Sequence, residues 1–187
     1  MRLFLAINLP ADTRREIADA TAPLRDSAPE LGWVREPLLH LTLKFLGEQP
    51  AERLEEIQGA VAGVAGRHRE LVMALGGIGA FPNFRRARVV WMGVAQEPRL
   101  ELLHHDVEVA CDALGVEMDG RPFRPHLTLA RVRSNPSEER MRLLARAAKK
   151  TTYTADVVIR SIDVMQSELT AGGSQYTTLL SAALRSG

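Results

Sequence analysis

"HLTL" stands at His40–Leu43 within "LLHLTLKFLGE" and again at His126–Leu129 within "FRPHLTLARVR". The chain has five histidines, and two of them share the same next three residues. Each copy is apolar and β-compatible, so each reads as a strand. On a strand, residues i and i+2 share a face, so His40 projects with Thr42 while Leu41 and Leu43 turn towards packing. The same holds for His126 and Thr128 against Leu127 and Leu129. Two lobes related by a pseudo-twofold would bring the two polar pairs together in a central cleft.

Working outward, "MRLFLAINLP" alternates into a first strand ending at Pro10, and Asp12 is expected to cap the following helix, which Pro23 ends. Trp33 and Val34 suggest a short extended segment, Gly47 stops the first HLTL strand, and Pro50 and Ala51 open a helix with Leu54, Ile57, Val61 and Val64 as its stripe. "ELVMALGGIGAF" and "ARVVWMGV" flank "PNFRR" as two antiparallel strands. "PRLELLHHDVEVACDALG" is a helix stopped at Gly115. After the second HLTL strand, Ser134 or Ser137 starts the helix "SEERMRLLARAAKK". "YTADVVIRSIDVMQSEL" and "SQYTTLLSAAL" are expected as two closing strands around a turn at Gly172 and Gly173. Strand pairs joined by turns imply antiparallel sheet, so the fold class is α+β with two similar lobes in one domain over 1–187; a parallel doubly wound sheet is the alternative.

Apolar residues make up 45% and charged residues 25% of the 187 residues, which suits a globular chain rather than a disordered or fibrous one. The N-terminus reads as a strand rather than a signal peptide, and no run approaches the length of a membrane span. One cysteine, Cys111, excludes an internal disulfide and fits a reducing cytoplasm. A net charge of +1 is too small for a protein that coats nucleic acid generally. Basic residues cluster locally instead, in "FRRAR" at Phe84–Arg88 and at Arg121, Arg124, Arg131 and Arg133.

A lone histidine in a strand is ordinarily a satisfied core or surface residue; duplication beside a same-face threonine turns the reading towards a site. Imidazole titrates near neutrality, so one histidine can accept a proton while the other donates one. Such a pair suits phosphodiester cleavage, with threonine hydroxyls and an arginine meeting the charge on the nonbridging oxygens. No metal is required. Neither HLTL carries a second histidine or carboxylate at zincin spacing, and "HHD" at His104–Asp106 places its members on different helix faces. His68, His104 and His105 are expected on the surface or on a helix face. There is no GxSxG turn, and "GGIGAF" at Gly76–Phe81 lacks the spacing and lysine of a phosphate loop.

The paired motifs, with "MRLFLAINLP", "GWVREPLLHLTLKFLGE", "FPNFRRARVVWMGV", "RPFRPHLTLARVR" and "SELTAGGSQYTTLL", resemble the bacterial and archaeal RNA 2',3'-cyclic phosphodiesterases, also called 2'-5' RNA ligases, of the 2H phosphoesterase superfamily. The resemblance covers nearly the whole chain. It implies a bilobal fold around a shared cleft and metal-independent, cofactor-free hydrolysis of a terminal 2',3'-cyclic phosphate on RNA to a 2'-phosphate, with reversible 2'-5' joining as a further activity. It implies His40 as acid to the 3'-oxygen, His126 as base for water, and Thr42 and Thr128 as phosphate-binding groups. It also places Arg131 at the phosphate and Phe45 beside the terminal base, although each stands five residues after its histidine and so has the opposite strand parity unless a bulge intervenes. Trp91 reads as core and Tyr176 as packing against the cleft. The expected partner is RNA with a cyclic-phosphate end, or a small cyclic-phosphate nucleotide, with no membrane, a cytoplasmic location and a monomeric state. The alternatives are a noncatalytic RNA-end or nucleotide-binding module and a 2H phosphodiesterase for a small cyclic nucleotide or oligoadenylate.

Overall fold

A computed structural model describes residues 1–133, 136–171 and 173–187. Its strands are β1 (Arg2–Asn8), β2 (Gly32–Trp33), β3 (His40–Glu48), β4 (Leu71–Phe81), β5 (Val89–Val94), β6 (His126–Arg131), β7 (Thr154–Ile159), β8 (Ser161–Thr170) and β9 (Gly173–Ala183). Its α-helices are α1 (Ala11–Ala20), α2 (Ala22–Ser27), α3 (Leu54–Ala65), α4 (Pro98–Ala113) and α5 (Glu138–Lys150). Short 3-10 turns lie at Glu36–Leu38, Ala51–Arg53 and Phe84–Arg86.

The strands form one sheet in the order β7-β4-β5-β6-β3-β1-β8-β9, with β2 added beside β6, and every ladder is antiparallel. The α+β expectation holds over the parallel alternative. The order is symmetric about the β6-β3 junction: β3-β1-β8-β9 forms one half and β6-β5-β4-β7 the other. The halves are not successive pieces of chain, because β1 and β3 join the C-terminal β8 and β9, while the middle of the chain supplies the second half.

That arrangement corrects one expected element. "YTADVVIRSIDVMQSEL" is not one strand but two, β7 and β8, which part at Arg160. β7 pairs with β4 and β8 with β1, so the chain crosses from one half of the sheet to the other there. Continuous β-compatible residues hide a break that tertiary pairing alone creates.

One face of the sheet is covered by helices. Leu3, Leu5, Ile7, Leu41, Leu43, Leu127 and Leu129 meet Ile57, Val61 and Val64 of α3 and Leu100, Leu103 and Val107 of α4 in the main core. A second cluster joins Val90 and Ala130 to Leu24 of α2 and to Met141 and Leu144 of α5.

The helix ends follow local chemistry, with departures. Ser137 caps α5 by accepting from the Arg140 N–H, while Ser134 lies outside the described residues. Gly115 stops α4 at φ +78°, a left-handed conformation that glycine adopts without strain. Asp12 does not cap α1; Pro10 holds the cap position and Asp12 pairs with Arg15 instead. Pro23 does not end α1 either, but sits in the first turn of α2, where its missing N–H costs nothing. Gly173 opens β9 at φ +101°, and Gly172 lies outside the described residues.

Candidate active site

The uncovered face carries both HxT pairs. β3 and β6 meet at the antiparallel pair Leu41 and Leu127, whose side chains are buried in the core. In that register His40 lies opposite Thr128 and Thr42 opposite His126, with all four side chains on the other face. Each histidine therefore neighbours the threonine of the other motif.

The two motifs share more than their letters. From histidine onward, both strands run half-buried, buried, half-buried, buried, buried, exposed. The two consecutive buried residues mark a bulge in each strand. Leu5 pairs with Lys44 and Ala6 with Thr42, which leaves Leu43 as the extra residue; Val90 pairs with Ala130 and Trp91 with Thr128, which leaves Leu129. A bulge inverts the parity of the residues that follow it, as far as the next bulge, which in β3 lies at Leu46. Phe45 therefore lies opposite Phe4, and Arg131 opposite Val89, on the cleft face with the histidines. The parity objection to these two residues is removed by the bulges, and the pseudo-twofold places an aromatic ring and a guanidinium at equivalent positions.

Both imidazoles are oriented by backbone. His40 Nδ1 donates to the Leu38 carbonyl at 2.7 Å and His126 Nδ1 to the Arg124 carbonyl at 2.6 Å. A carbonyl can only accept, so the neutral proton sits on Nδ1 and the Nε2 lone pair is left for chemistry. In the neutral form of His40, Nε2 accepts from the Thr42 hydroxyl at 3.0 Å. Burial lowers the His40 pKa below the usual imidazole value; the Leu38 carbonyl opposes this, and the nearby Arg131 charge adds to the lowering. Arg131 is thus close enough for its field to act on His40.

Aromatic rings wall each histidine. The Tyr176 ring stands edge-on to His40 at 5.5 Å, and Phe4 lies 5.1 Å from it. The Phe81 ring stands edge-on to His126 at 5.0 Å and contacts Trp91 at 5.1 Å. Tyr176 thus packs against the cleft as expected. Trp91 is not a core residue: it pairs with Thr128 on the cleft face, half-buried, with its indole lying over Gly79. Phe81 and the two carbonyls were missed in the sequence. Pseudo-symmetry offered a signal, since the carbonyl two residues before each histidine plays the same part.

The remaining histidines divide. His105 is exposed on α4, but His68 is buried and its Nε2 lies 2.8 Å from Asp106 Oδ2. His104 is half-buried in a cluster behind the sheet. Burial pushes the Cys111 thiol up to about 11, as befits an inert core residue. Among the described residues, no three His, Cys, Asp or Glu side chains gather in a group able to hold a metal ion, and no helix is long and apolar enough to cross a membrane.

The geometry supplies two imidazoles whose Nε2 atoms are not tied to backbone, two hydroxyls and a cation on one face, which is the set that general acid-base attack on a phosphodiester needs. Comparison with known proteins agrees. A family model described as the 2'-5' RNA ligase superfamily matches residues 10–171. An RNA 2',3'-cyclic phosphodiesterase of Thermus thermophilus is 33% identical over 192 aligned positions, covering 99% of this chain and 91% of that protein. Another from Geobacillus stearothermophilus is 37% identical over 128 residues, which is 68% of this chain but 41% of the relative's length. The crystal structure of Escherichia coli LigT complexed with 3'-AMP superposes with a TM-score of 0.72 at 32% identity, covering 98% of this chain and 97% of that one.

Proposed function

The chain belongs to the 2'-5' RNA ligase superfamily, and we infer that it is an RNA 2',3'-cyclic phosphodiesterase. The observation that carries this reading is the pair of HxT motifs facing one cleft, each with its Nδ1 held by a backbone carbonyl so that Nε2 is the nitrogen left for proton transfer.

In the proposed reaction, His126 Nε2 takes a proton from water as its oxygen attacks phosphorus. The bond to the 3'-oxygen breaks, and His40 Nε2 delivers a proton to that oxygen, leaving a 2'-phosphate. Thr42, Thr128 and Arg131 meet the nonbridging oxygens, and Phe45 offers a stacking surface to the terminal base. Burial and Arg131 favour the neutral form of His40 in the free protein. A phosphate anion between Arg131 and His40 would offset that charge and favour the imidazolium, so substrate itself would arm the acid. A 5'-hydroxyl in place of water would give a 2'-5' linkage by the same steps.

The proposed partner is RNA with a cyclic-phosphate end, handled by one bilobal unit spanning 1–187. Both histidines come from one chain, which supports action as a monomer, and a single inert cysteine suits the cytoplasm. The test is ³¹P NMR of the product from a short RNA ending in a 2',3'-cyclic phosphate. A 2'-phosphate is expected. A 3'-phosphate would overturn the assignment of the leaving group, and turnover confined to mononucleotides would move the substrate to small cyclic nucleotides.

A further inference from the structure

The two halves of the site differ at one position behind the sheet. Ala130 follows the bulge in β6, but Lys44 follows the bulge in β3, and its side chain is 7% exposed. Lys44 Nζ donates to Glu108 Oε2 of α4 at 2.8 Å and to the Glu117 carbonyl at 2.6 Å. The same Glu108 oxygen accepts the Asp119 N–H at 2.8 Å. One turn earlier on α4, the His104 ring stacks on Phe123, with centroids 3.7 Å apart and planes 9° from parallel.

Glu117, Asp119 and Phe123 all lie between α4 and β6, where the chain has no helix or strand. That segment ends at Arg124, whose carbonyl fixes His126 Nδ1. A buried ion pair is weak evidence for stability, because its desolvation offsets most of its attraction. Ala130 occupies the equivalent place in the other half of the sheet without any charge.

We propose that the buried pair of Lys44 and Glu108, with the half-buried His104, positions His126: the three anchor the Glu117–Arg124 segment so that the Arg124 carbonyl holds the Nδ1 proton and Nε2 faces the cleft. These three are positioning residues. His40 is a built-in control, because its carbonyl partner Leu38 ends a separate 3-10 turn tied to α1 by Arg14 and Glu36. The kinetic consequence rests on His126 being catalytic; the tautomer consequence does not.

The experiment replaces both charges, Lys44→Met with Glu108→Met, which leaves no unpaired buried ion and is expected to preserve folding. Imidazole ¹⁵N spectra of the free protein then report both tautomers. In the wild type both histidines carry the neutral proton on Nδ1. In the double variant His126 shifts towards the Nε2–H form while His40 does not. Turnover of a cyclic-phosphate RNA falls on the order of a hundredfold in kcat with KM held, and the same pair of substitutions costs nothing further in a His126→Ala background. Wild-type spectra and kcat in the folded variant would overturn the proposal, as would an equal loss in the His126→Ala background. If the double variant does not fold, Phe123→Ala releases the segment at its other anchor without exposing a buried charge. An unchanged His126 tautomer there would overturn the proposal too. A wild type inactive on cyclic phosphate would remove the catalytic reading alone, because the spectra decide the positioning role without it.

Discussion

Leu41 and Leu127 stand directly opposite one another where the two halves of the sheet meet, and each is buried beneath the cleft. This pair is the axis of the site. One residue to either side, the register sets His40 against Thr128 and Thr42 against His126. The apolar members of the motifs therefore hold the seam while the polar members share the open face.

Arg131 tunes His40. Burial and the Arg131 charge both lower its pKa, so removing the charge should raise it, while burial keeps it below the ordinary imidazole value. Arg131→Gln is expected to move the His40 proton-NMR titration to higher pH. The bell-shaped kcat/KM profile should move its His40 limb the same way. An unchanged titration would contradict the placement of Arg131. On its proposed role at the nonbridging oxygens, loss of the Arg131 cation should also lower kcat by on the order of a hundredfold.

Phe45 is 60% exposed on the cleft face and contributes little to the core. Phe45→Ala should leave thermal stability nearly unchanged and weaken substrate by about 1 to 3 kcal/mol, seen as a raised KM with kcat held. A drop in melting temperature without a change in KM would make it a packing residue.

Gly79 is required by Trp91. A Cβ there would run into the six-membered ring of the indole, so Gly79→Ala should destabilise the fold by about 1 to 3 kcal/mol. It should also disturb the Phe81 ring beside His126 and reduce turnover. Urea unfolding measures the first effect, and adding Trp91→Leu is expected to restore much of the stability. No rescue would mean that the glycine matters for a reason other than the indole.

The two-histidine scheme supplies acid and base from side chains, so the rate on a cyclic-phosphate RNA should be the same in excess chelator as without it. Inhibition that added divalent cation reverses would count against the scheme.

Much of this was legible in the sequence. The duplicated HLTL letters identified the candidate catalytic pair, and strand parity placed each threonine beside its histidine. Parity failed beyond Leu43 and Leu129, because nothing in the letters marks a bulge; consecutive buried residues become visible only in the ladder. The break at Arg160 was hidden for a related reason, since no proline or glycine separates two strands that belong to different halves of the sheet. Lys44 was unread because a lysine in a strand ordinarily faces solvent, and its buried partner stands 64 residues away. Trp91 was misread as core because a tryptophan in an apolar strand usually is one; Gly79, its partner on the neighbouring β4, makes the flat berth on the cleft face.

The most direct measurement is product analysis with a short RNA ending in a 2',3'-cyclic phosphate, in chelator, for wild type, His40→Ala and His126→Ala. Wild type should yield the 2'-phosphate, and each variant, folded by circular dichroism, should lose on the order of a hundredfold or more in rate. Undiminished formation of that product by either folded variant would contradict the two-histidine account.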